Sequence, residues 1–189
     1  SILQELVGEI ERRSDLFKKA GVSKLDEYVL KTNRPMPKLL VIMDEFQVLY
    51  NDATNRKIAY NCAELTKRVV TEGRSYGIHL MMATQATKII TNLTLESGTI
   101  EQMRIRVGLK CGEADANYLF SDVNSDKALE MMKGPIGTAV INEEYTEQEN
   151  ISLRAAYCDP DTQKKYLKII SDRLTEYEYD LKVFEGGRT

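Results

Sequence analysis

The chain has 189 residues and a net charge of −3, with 42% hydrophobic and 29% charged residues. This composition argues against global disorder, and the charge argues against a fold built around one broad basic face for nucleic acid. Three cysteines, none in C-x-x-C spacing, and a single histidine leave little for a zinc site and predict reduced thiols. No apolar run approaches the roughly 18 residues of a membrane span. The reduced thiols predict a cytoplasmic location for this part of the protein, and any membrane anchor is expected in another region.

Patterns typical of helices and strands alternate along the chain. Apolar residues recur at helical spacing over residues 2–20, and Gly21 is suited to end that helix in a left-handed conformation. A proline-containing loop, residues 32–37, separates this N-terminal segment from the first predicted strand. The sequence then predicts strands at 39–43, 78–83, 104–110, 137–141 and 151–157, helices at 55–72, 113–120 and 124–133, and a long helix that begins at Asp159 or Asp161.

The first predicted strand, Leu39–Met43, is an unbroken apolar run, and Ile78–Ala83, which is apolar except for His79, is a second candidate for a buried strand. Runs without alternation of polar and apolar residues are typical of strands buried on both faces, in a parallel sheet that helices cover. The alternation of strands and helices therefore predicts an α/β fold with a mostly parallel sheet and flanking helices. Residues 151–157 are expected to pair with 137–141 as an antiparallel edge, connected through the acidic stretch 143–149.

An acidic pair, Asp44 and Glu45, directly follows the first buried strand. Open α/β sheets bind their ligands at the carboxyl ends of the strands. Two carboxylates there suit phosphoryl transfer, in which one holds the water shell of Mg²⁺ and the other orients or deprotonates the attacking water. The alternative interpretation is a solvated acidic pair at the start of a helix.

Gln85 ends the next apolar strand and is expected at the same edge of the sheet. A glutamine side chain is a neutral donor and acceptor, so it can hydrogen-bond a γ-phosphate or the water that attacks it. A single polar residue after a strand is usually a helix cap. The combination of Gln85 with Asp44 and Glu45 favours a nucleotide site.

Three stretches, in this order, resemble the motor domain of the FtsK/SpoIIIE family: LLVIMDEFQVLY (39–50), EGRSYGIHLMMATQ (72–85) and RIRVGLKCGEADANYLFSD (104–122). The resemblance covers roughly residues 38–141. That family belongs to the hexameric P-loop ATPases, which also include conjugation motors and type VII secretion ATPases. The resemblance implies a partial RecA-like fold and the use of ATP and Mg²⁺.

The same resemblance implies a division of the chain into three parts. Residues 1–37 are expected to form an N-terminal helical segment and loop, 38–158 the partial RecA-like ATPase core, and 159–189 a C-terminal helix and frayed tail. On the last helix we expect a buried stripe formed by Leu167, Ile170, Leu174 and Leu181.

The resemblance also assigns roles to the residues at the sheet edge. Asp44 and Glu45 match the Walker B acids, and Gln85 matches the glutamine that closes the sensor strand. Asp44 is therefore expected to bind Mg-ATP by holding Mg²⁺ through its water shell, Glu45 to activate water, and Gln85 to contact the γ-phosphate.

A further catalytic role falls on an arginine. Arg74, in the stretch Gly73–Gly77, matches an arginine that reaches the nucleotide of the neighbouring subunit. Arg104 and Arg106 alternate along a predicted strand and remain alternative contacts of this kind, although a structural salt bridge is the favoured interpretation for them.

One departure from the family pattern is the absence of any G-x-x-x-x-G-K-[ST] stretch in the sequence. The phosphate-binding loop and its lysine are thus not among these residues. We interpret the chain as the C-terminal part of a motor domain that lacks the Walker A motif, with a degenerate ATPase module as the alternative. We expect the chain alone to bind ATP and Mg²⁺ poorly or not at all.

The function that the resemblance implies is an ATP-driven, homo-hexameric motor that translocates double-stranded DNA. A type VII protein-export ATPase, with a secreted protein as its partner, shares all these motifs and is the first alternative. The second is a catalytically silent scaffold or regulatory module of the same fold. Pore loops and accessory domains grip the cargo, so the site motifs do not distinguish DNA from protein.

Overall fold

The computed structural model describes residues 1–50, 55–85, 97–144 and 149–174. Two 3-10 turns, Phe46–Leu49 and Gly73–Tyr76, lie among its helices and strands. Residues 186–189 and most of the predicted 143–149 connection lie outside the described residues. The helices and strands are α1 Ile2–Ala20, α2 Leu25–Thr32, β1 Leu39–Met43, α3 Arg56–Glu72, β2 Ile78–Met82, α4 Ser97–Glu101, β3 Arg106–Leu109, α5 Glu113–Met131, β4 Thr138–Asn142, β5 Ile151–Arg154 and α6 Pro160–Leu174.

The first sheet consists of β1 and β2, which run parallel. Their register runs from Leu39 opposite Ile78 to Met43 opposite Met82. Parallel neighbours need a crossover connection, and α3 supplies it between these two strands. The carboxyl ends of β1 and β2 therefore meet at one edge of the sheet.

One face of this sheet is covered and the other is open. On the covered face, α1 and α3 pack against the strands through a buried cluster of Val7, Ile10, Val69 and Ile78. The open face carries the exposed side chains of Leu40, Ile42, His79 and Met81. The prediction that both strands are buried on both faces is wrong for the described residues, because none of the described elements covers the second face.

The second sheet consists of β3, β4 and β5 in that order, all antiparallel. The pairing of β4 with β5 was predicted, whereas the antiparallel pairing of β3 with β4 was not. These two strands are connected through α5, whose backbone leaves helical geometry at Ser121 with φ 62° and ψ 163°. The predicted α/β class is confirmed, with one small parallel sheet, antiparallel strands and helices.

The predicted first helix is confirmed as α1. It ends at Gly21, which adopts the left-handed conformation with φ 63°. Its buried face comprises Leu3, Val7, Ile10, Arg13 and Phe17, so a charged residue joins the predicted apolar stripe. The Phe17 ring stacks on Tyr28 of α2 with the centroids 5.1 Å apart. The division at residues 37 and 158 stays a prediction.

The last helix, α6, is exposed rather than buried. Leu167 and Ile170 are 57% and 53% exposed, so the predicted buried stripe is wrong at both positions. The reason is that no described helix or strand packs closely against α6. The side chain of Leu174 and all of Leu181 lie outside the described part of the chain. Over the described ranges, no helix combines the length and the apolar character needed to cross a lipid bilayer.

Candidate functional site

Asp44 and Glu45 form a short protrusion at the carboxyl end of β1. The Ala83 N–H donates to the Met43 carbonyl at 2.9 Å, and the Ala83 carbonyl accepts from the Phe46 N–H at 3.2 Å. Both hydrogen bonds use the same residue after β2, so the two acidic residues between Met43 and Phe46 are looped out of the pairing. Glu45 adopts the left-handed conformation with φ 49° and ψ 45°, which is sparsely populated by non-glycine residues.

The two carboxylates differ in their surroundings. Asp44 is exposed, and its Oδ1 accepts from the Glu45 N–H at 3.0 Å. Glu45 is half-buried, and its Oε2 accepts a hydrogen bond from Nε2 of Gln47. Sequence reasoning missed Gln47. Its one signal is a polar residue in an otherwise apolar run, FQVLY.

Two buried aromatic residues anchor the segment after the acidic pair. Phe46 and Tyr50 pack in one core cluster, with ring centroids 6.2 Å apart. The Tyr50 hydroxyl lies 2.7 Å from Oγ1 of Thr66 on α3, and burial raises the pKa of this tyrosine. The turn that carries Gln47 is therefore fixed from both sides, which limits how far Glu45 can move.

Gln85 lies at the same edge of the sheet, two residues after Ala83 in the chain, and is exposed. The structure thus brings Gln85, Asp44 and Glu45 to neighbouring strand ends, as expected for parallel strands. Because the Gln85 side chain is exposed and not packed in the core, it is accessible to a ligand bound at this edge.

Arg74 lies at the other end of β2, in the turn Gly73–Tyr76, and is exposed. Two contacts fix this turn to α1: Nη1 of Arg13 donates to the Tyr76 carbonyl at 2.7 Å, and the Tyr76 hydroxyl donates to Ser14 Oγ at 3.1 Å. Arg13 is 2% exposed and pairs with Glu9 through Nε at 2.7 Å. The exposed Arg74 side chain is therefore carried on a turn that is held in place by α1.

No family model matches the chain, whereas comparison with individual proteins finds several that are similar to it. The chain is 25% identical to the DNA translocase FtsK of Streptococcus pyogenes serotype M1 over 198 aligned residues, which cover 98% of the chain and 22% of that protein. It is 32% identical to the ESX-5 secretion system protein EccC5 of Mycobacterium marinum over 126 residues, which cover 60% of the chain and 8% of that protein. The pCW3 conjugation coupling protein TcpA, solved in its monomer form with ATPγS, matches the fold with a TM-score of 0.70 at 20% identity, over 91% of this chain and 48% of its own. The chain is thus similar in sequence to FtsK and EccC5 and in fold to TcpA, which supports a relationship to the FtsK/SpoIIIE family of P-loop ATPases.

This chain spans about a fifth of the FtsK relative and less than a tenth of EccC5. TcpA was solved with the nucleotide ATPγS, and proteins commonly bind nucleotide phosphates together with Mg²⁺. Mg²⁺ keeps several of its waters and takes one or two carboxylates together with substrate phosphates, which Asp44 and Glu45 suit. Over the described ranges, no group of three or more acidic, histidine or cysteine side chains forms an all-protein metal cage. The sequence contains no G-x-x-x-x-G-K-[ST] loop that could cradle phosphates.

The two alternative arginines have structural contacts. Arg106 is 6% exposed, and its guanidinium donates to the carbonyls of Ile100, Met103, Tyr118 and Leu119 at 2.9–3.3 Å. Since the helix breaks at Ser121, the carbonyls of Tyr118 and Leu119 lie at the end of a helical segment, where a cation is favoured. Arg106 is therefore ruled out as a contact to a neighbouring subunit. Arg104 is exposed and its Nη1 lies 3.2 Å from Oε2 of Glu144.

We expect Arg106→Met to destabilise the chain by at least about 3 kcal/mol, because several buried carbonyls lose their donor. Arg104→Met is the matched control and is expected to cost only about 0–1 kcal/mol, as exposed ion pairs do. Urea unfolding of the 189-residue chain, followed by circular dichroism, measures both. Equal unfolding midpoints for the two variants would contradict a stabilising role for the Arg106 contacts.

Other chemically interesting groups lie away from this edge. An open cleft of about 670 Å³ is lined by Lys110, Cys111 and residues of α5 and its C-terminal end, and by none of the predicted site residues. Burial raises the pKa of the Cys62 and Cys111 thiols, so neither has the lowered pKa of a reactive cysteine.

Proposed function

We propose that the full-length protein is an ATP-driven, hexameric motor that translocates double-stranded DNA, and that this chain supplies the C-terminal part of its motor domain. The observation that carries the proposal is the acidic pair Asp44–Glu45, looped out between the two hydrogen bonds of Ala83, with Gln85 following on the next strand. The FtsK relative supports DNA as the cargo, since its similarity extends over 98% of the chain. In this proposal residues 38–158 are part of the ATPase core, flanked by the segments 1–37 and 159–189.

Each site residue has a separate task in this proposal. Asp44 holds the water shell of the cation, and Glu45 accepts a proton from the attacking water. Gln85 hydrogen-bonds the γ-phosphate, and Arg74 completes the site of the neighbouring subunit. Neutralisation of charge on the phosphate oxygens is the chemistry that bound Mg²⁺ supplies.

A type VII protein-export ATPase is the second candidate. The observation in its favour is the 32% identity to EccC5, which extends over 60% of the chain. A catalytically silent scaffold is the third, and the sequence feature in its favour is the missing G-x-x-x-x-G-K-[ST] stretch.

ATP hydrolysis by the purified full-length protein, with and without linear double-stranded DNA, separates the three candidates. A DNA translocase is expected to hydrolyse ATP faster when DNA is added and to displace a third strand bound to that DNA. Hydrolysis that DNA does not stimulate contradicts the DNA proposal and favours the export ATPase. Absence of hydrolysis under both conditions favours the scaffold.

We expect the 189-residue chain on its own not to hydrolyse ATP. The phosphate loop normally supplies the backbone N–H groups and the lysine that hold the β- and γ-phosphates, and neither is present here. Phosphate release with Mg²⁺ is compared between the chain and its Glu45→Gln variant. Turnover above that of the variant would contradict this expectation and would mean that the chain contains a nucleotide site that does not need the phosphate loop.

A further inference from the structure

The side chain of Gln47 is buried beside the carboxylate of Glu45. It is 8% exposed and lies in the turn Phe46–Leu49, next to the buried Phe46. Its Nε2 donates to Oε2 of Glu45. An ionised carboxylate only accepts hydrogen bonds, so the amide must turn its NH₂ group toward Glu45. This contact fixes the orientation of both side chains.

The other end of the same amide makes no such contact. Oε1 of Gln47 is buried and has no hydrogen-bond partner among the described residues. A buried acceptor without a donor carries the cost of its lost hydration. Methionine has nearly the same length and shape and would fill this space without that cost. The unpartnered end of the amide offsets what the other end contributes to stability, so the contact with Glu45 itself is what distinguishes glutamine from methionine at position 47.

We propose that Gln47 is a positioning residue that holds the Glu45 carboxylate in the orientation needed for water activation. This inference rests on the proposed function, because it takes Glu45 as the group that accepts the proton. Glu45 has a left-handed backbone, with φ 49° and ψ 45°, which differs from the extended backbone of a strand residue. A general base must lie within hydrogen-bond reach of the water it deprotonates, so a carboxylate in this backbone conformation needs a fixed side-chain partner.

The test is Gln47→Met in the full-length protein, with kcat, KM for ATP and the thermal unfolding midpoint measured together. We expect kcat to fall by roughly 10- to 100-fold, as for a catalytic group displaced by about 1 Å. KM for ATP is expected to stay unchanged, and the unfolding midpoint to change little, because the substitution removes both the unpartnered oxygen and the hydrogen bond to Glu45. Gln163→Met makes the same chemical change on the exposed face of α6 and is expected to alter none of the three values.

A loss of kcat without a loss of stability is the pattern that a purely structural glutamine does not produce. A Gln47→Met variant that fails to fold overturns the inference, as does one with wild-type kcat. In a Glu45→Gln background, Gln47→Met is expected to cause no further loss, since the group it positions is already gone.

The series also separates this inference from the function on which it rests. If Glu45→Gln abolishes hydrolysis and Gln47→Met leaves it intact, the role of Gln47 alone is overturned. If Glu45→Gln itself retains wild-type kcat, or the full-length protein does not hydrolyse ATP, the proposed function fails and this inference fails with it.

Discussion

Glu45→Gln in the full-length protein is expected to lower ATP hydrolysis by about 10²–10⁴-fold while ATP binding is preserved. The amide keeps the size of the side chain but cannot accept the proton of the attacking water. The Mg²⁺ ligand assigned to Asp44 is untouched, so nucleotide affinity should not change. Steady-state hydrolysis and binding of a fluorescent ATP analogue measure the two effects separately.

Asp44→Asn is the informative companion variant. It is expected to weaken Mg²⁺-dependent nucleotide binding as well as hydrolysis, because the carboxylate that holds the water shell of the cation is lost. Glu143→Gln, an exposed glutamate near the end of β4, is the matched control and should behave as wild type. The same modest loss of activity for Glu45→Gln and Asp44→Asn would contradict the assignment of separate roles.

Arg74→Ala is expected to reduce hydrolysis by about 10³–10⁵-fold by removing a contact to the neighbouring subunit's nucleotide. The five-residue strand β2 separates the Arg74 turn from the end that carries Gln85 by roughly 16 Å, at about 3.3 Å per residue. Arg74 is thus too far from the site edge of its own chain to act there. A guanidinium suits an action across subunits because it stays charged and contacts two phosphate oxygens at once.

Mixed rings test this action between subunits. Arg74→Ala subunits are combined with subunits whose phosphate-loop lysine is replaced, and hydrolysis is measured against each variant alone. Some interfaces then pair an intact nucleotide site with an intact arginine, so activity should partly return. Arg154→Ala, an exposed arginine at the end of β5, is the control and should not lower activity by itself.

Failure of the mixture to regain activity, with mixed rings shown to form, would make Arg74 a structural residue. The next candidate would then be Arg104, which is exposed. Arg106 cannot take its place, because four backbone carbonyls surround its buried guanidinium. A sequence pattern does not separate these two arginines, whereas their burial does.

The sequence by itself determined the local elements and the edge at which the acidic residues lie. The helical spacing of apolar residues predicted α1, and Gly21 predicted its left-handed end. The two apolar runs predicted β1 and β2, and parallel pairing brings Asp44, Glu45 and Gln85 to the same edge. These predictions succeeded because periodicity and backbone preferences act over a few residues and are written in neighbouring side chains.

Contacts between distant segments were decided only by the tertiary structure. The buried Arg13 donates to a carbonyl 63 residues away in the chain, and the buried Arg106 donates to carbonyls up to 13 residues away. No local sequence pattern contains these contacts. The open face of the first sheet and the helix α6 both carry exposed apolar side chains. The spacing of apolar residues in the sequence predicts that an element has an apolar side, but it does not predict whether another element covers that side. The role of Gln47 also depends on the tertiary structure, in which its Nε2 donates to Glu45 and its Oε1 has no partner among the described residues. Whether a buried polar group finds a hydrogen-bond partner is decided by its three-dimensional surroundings.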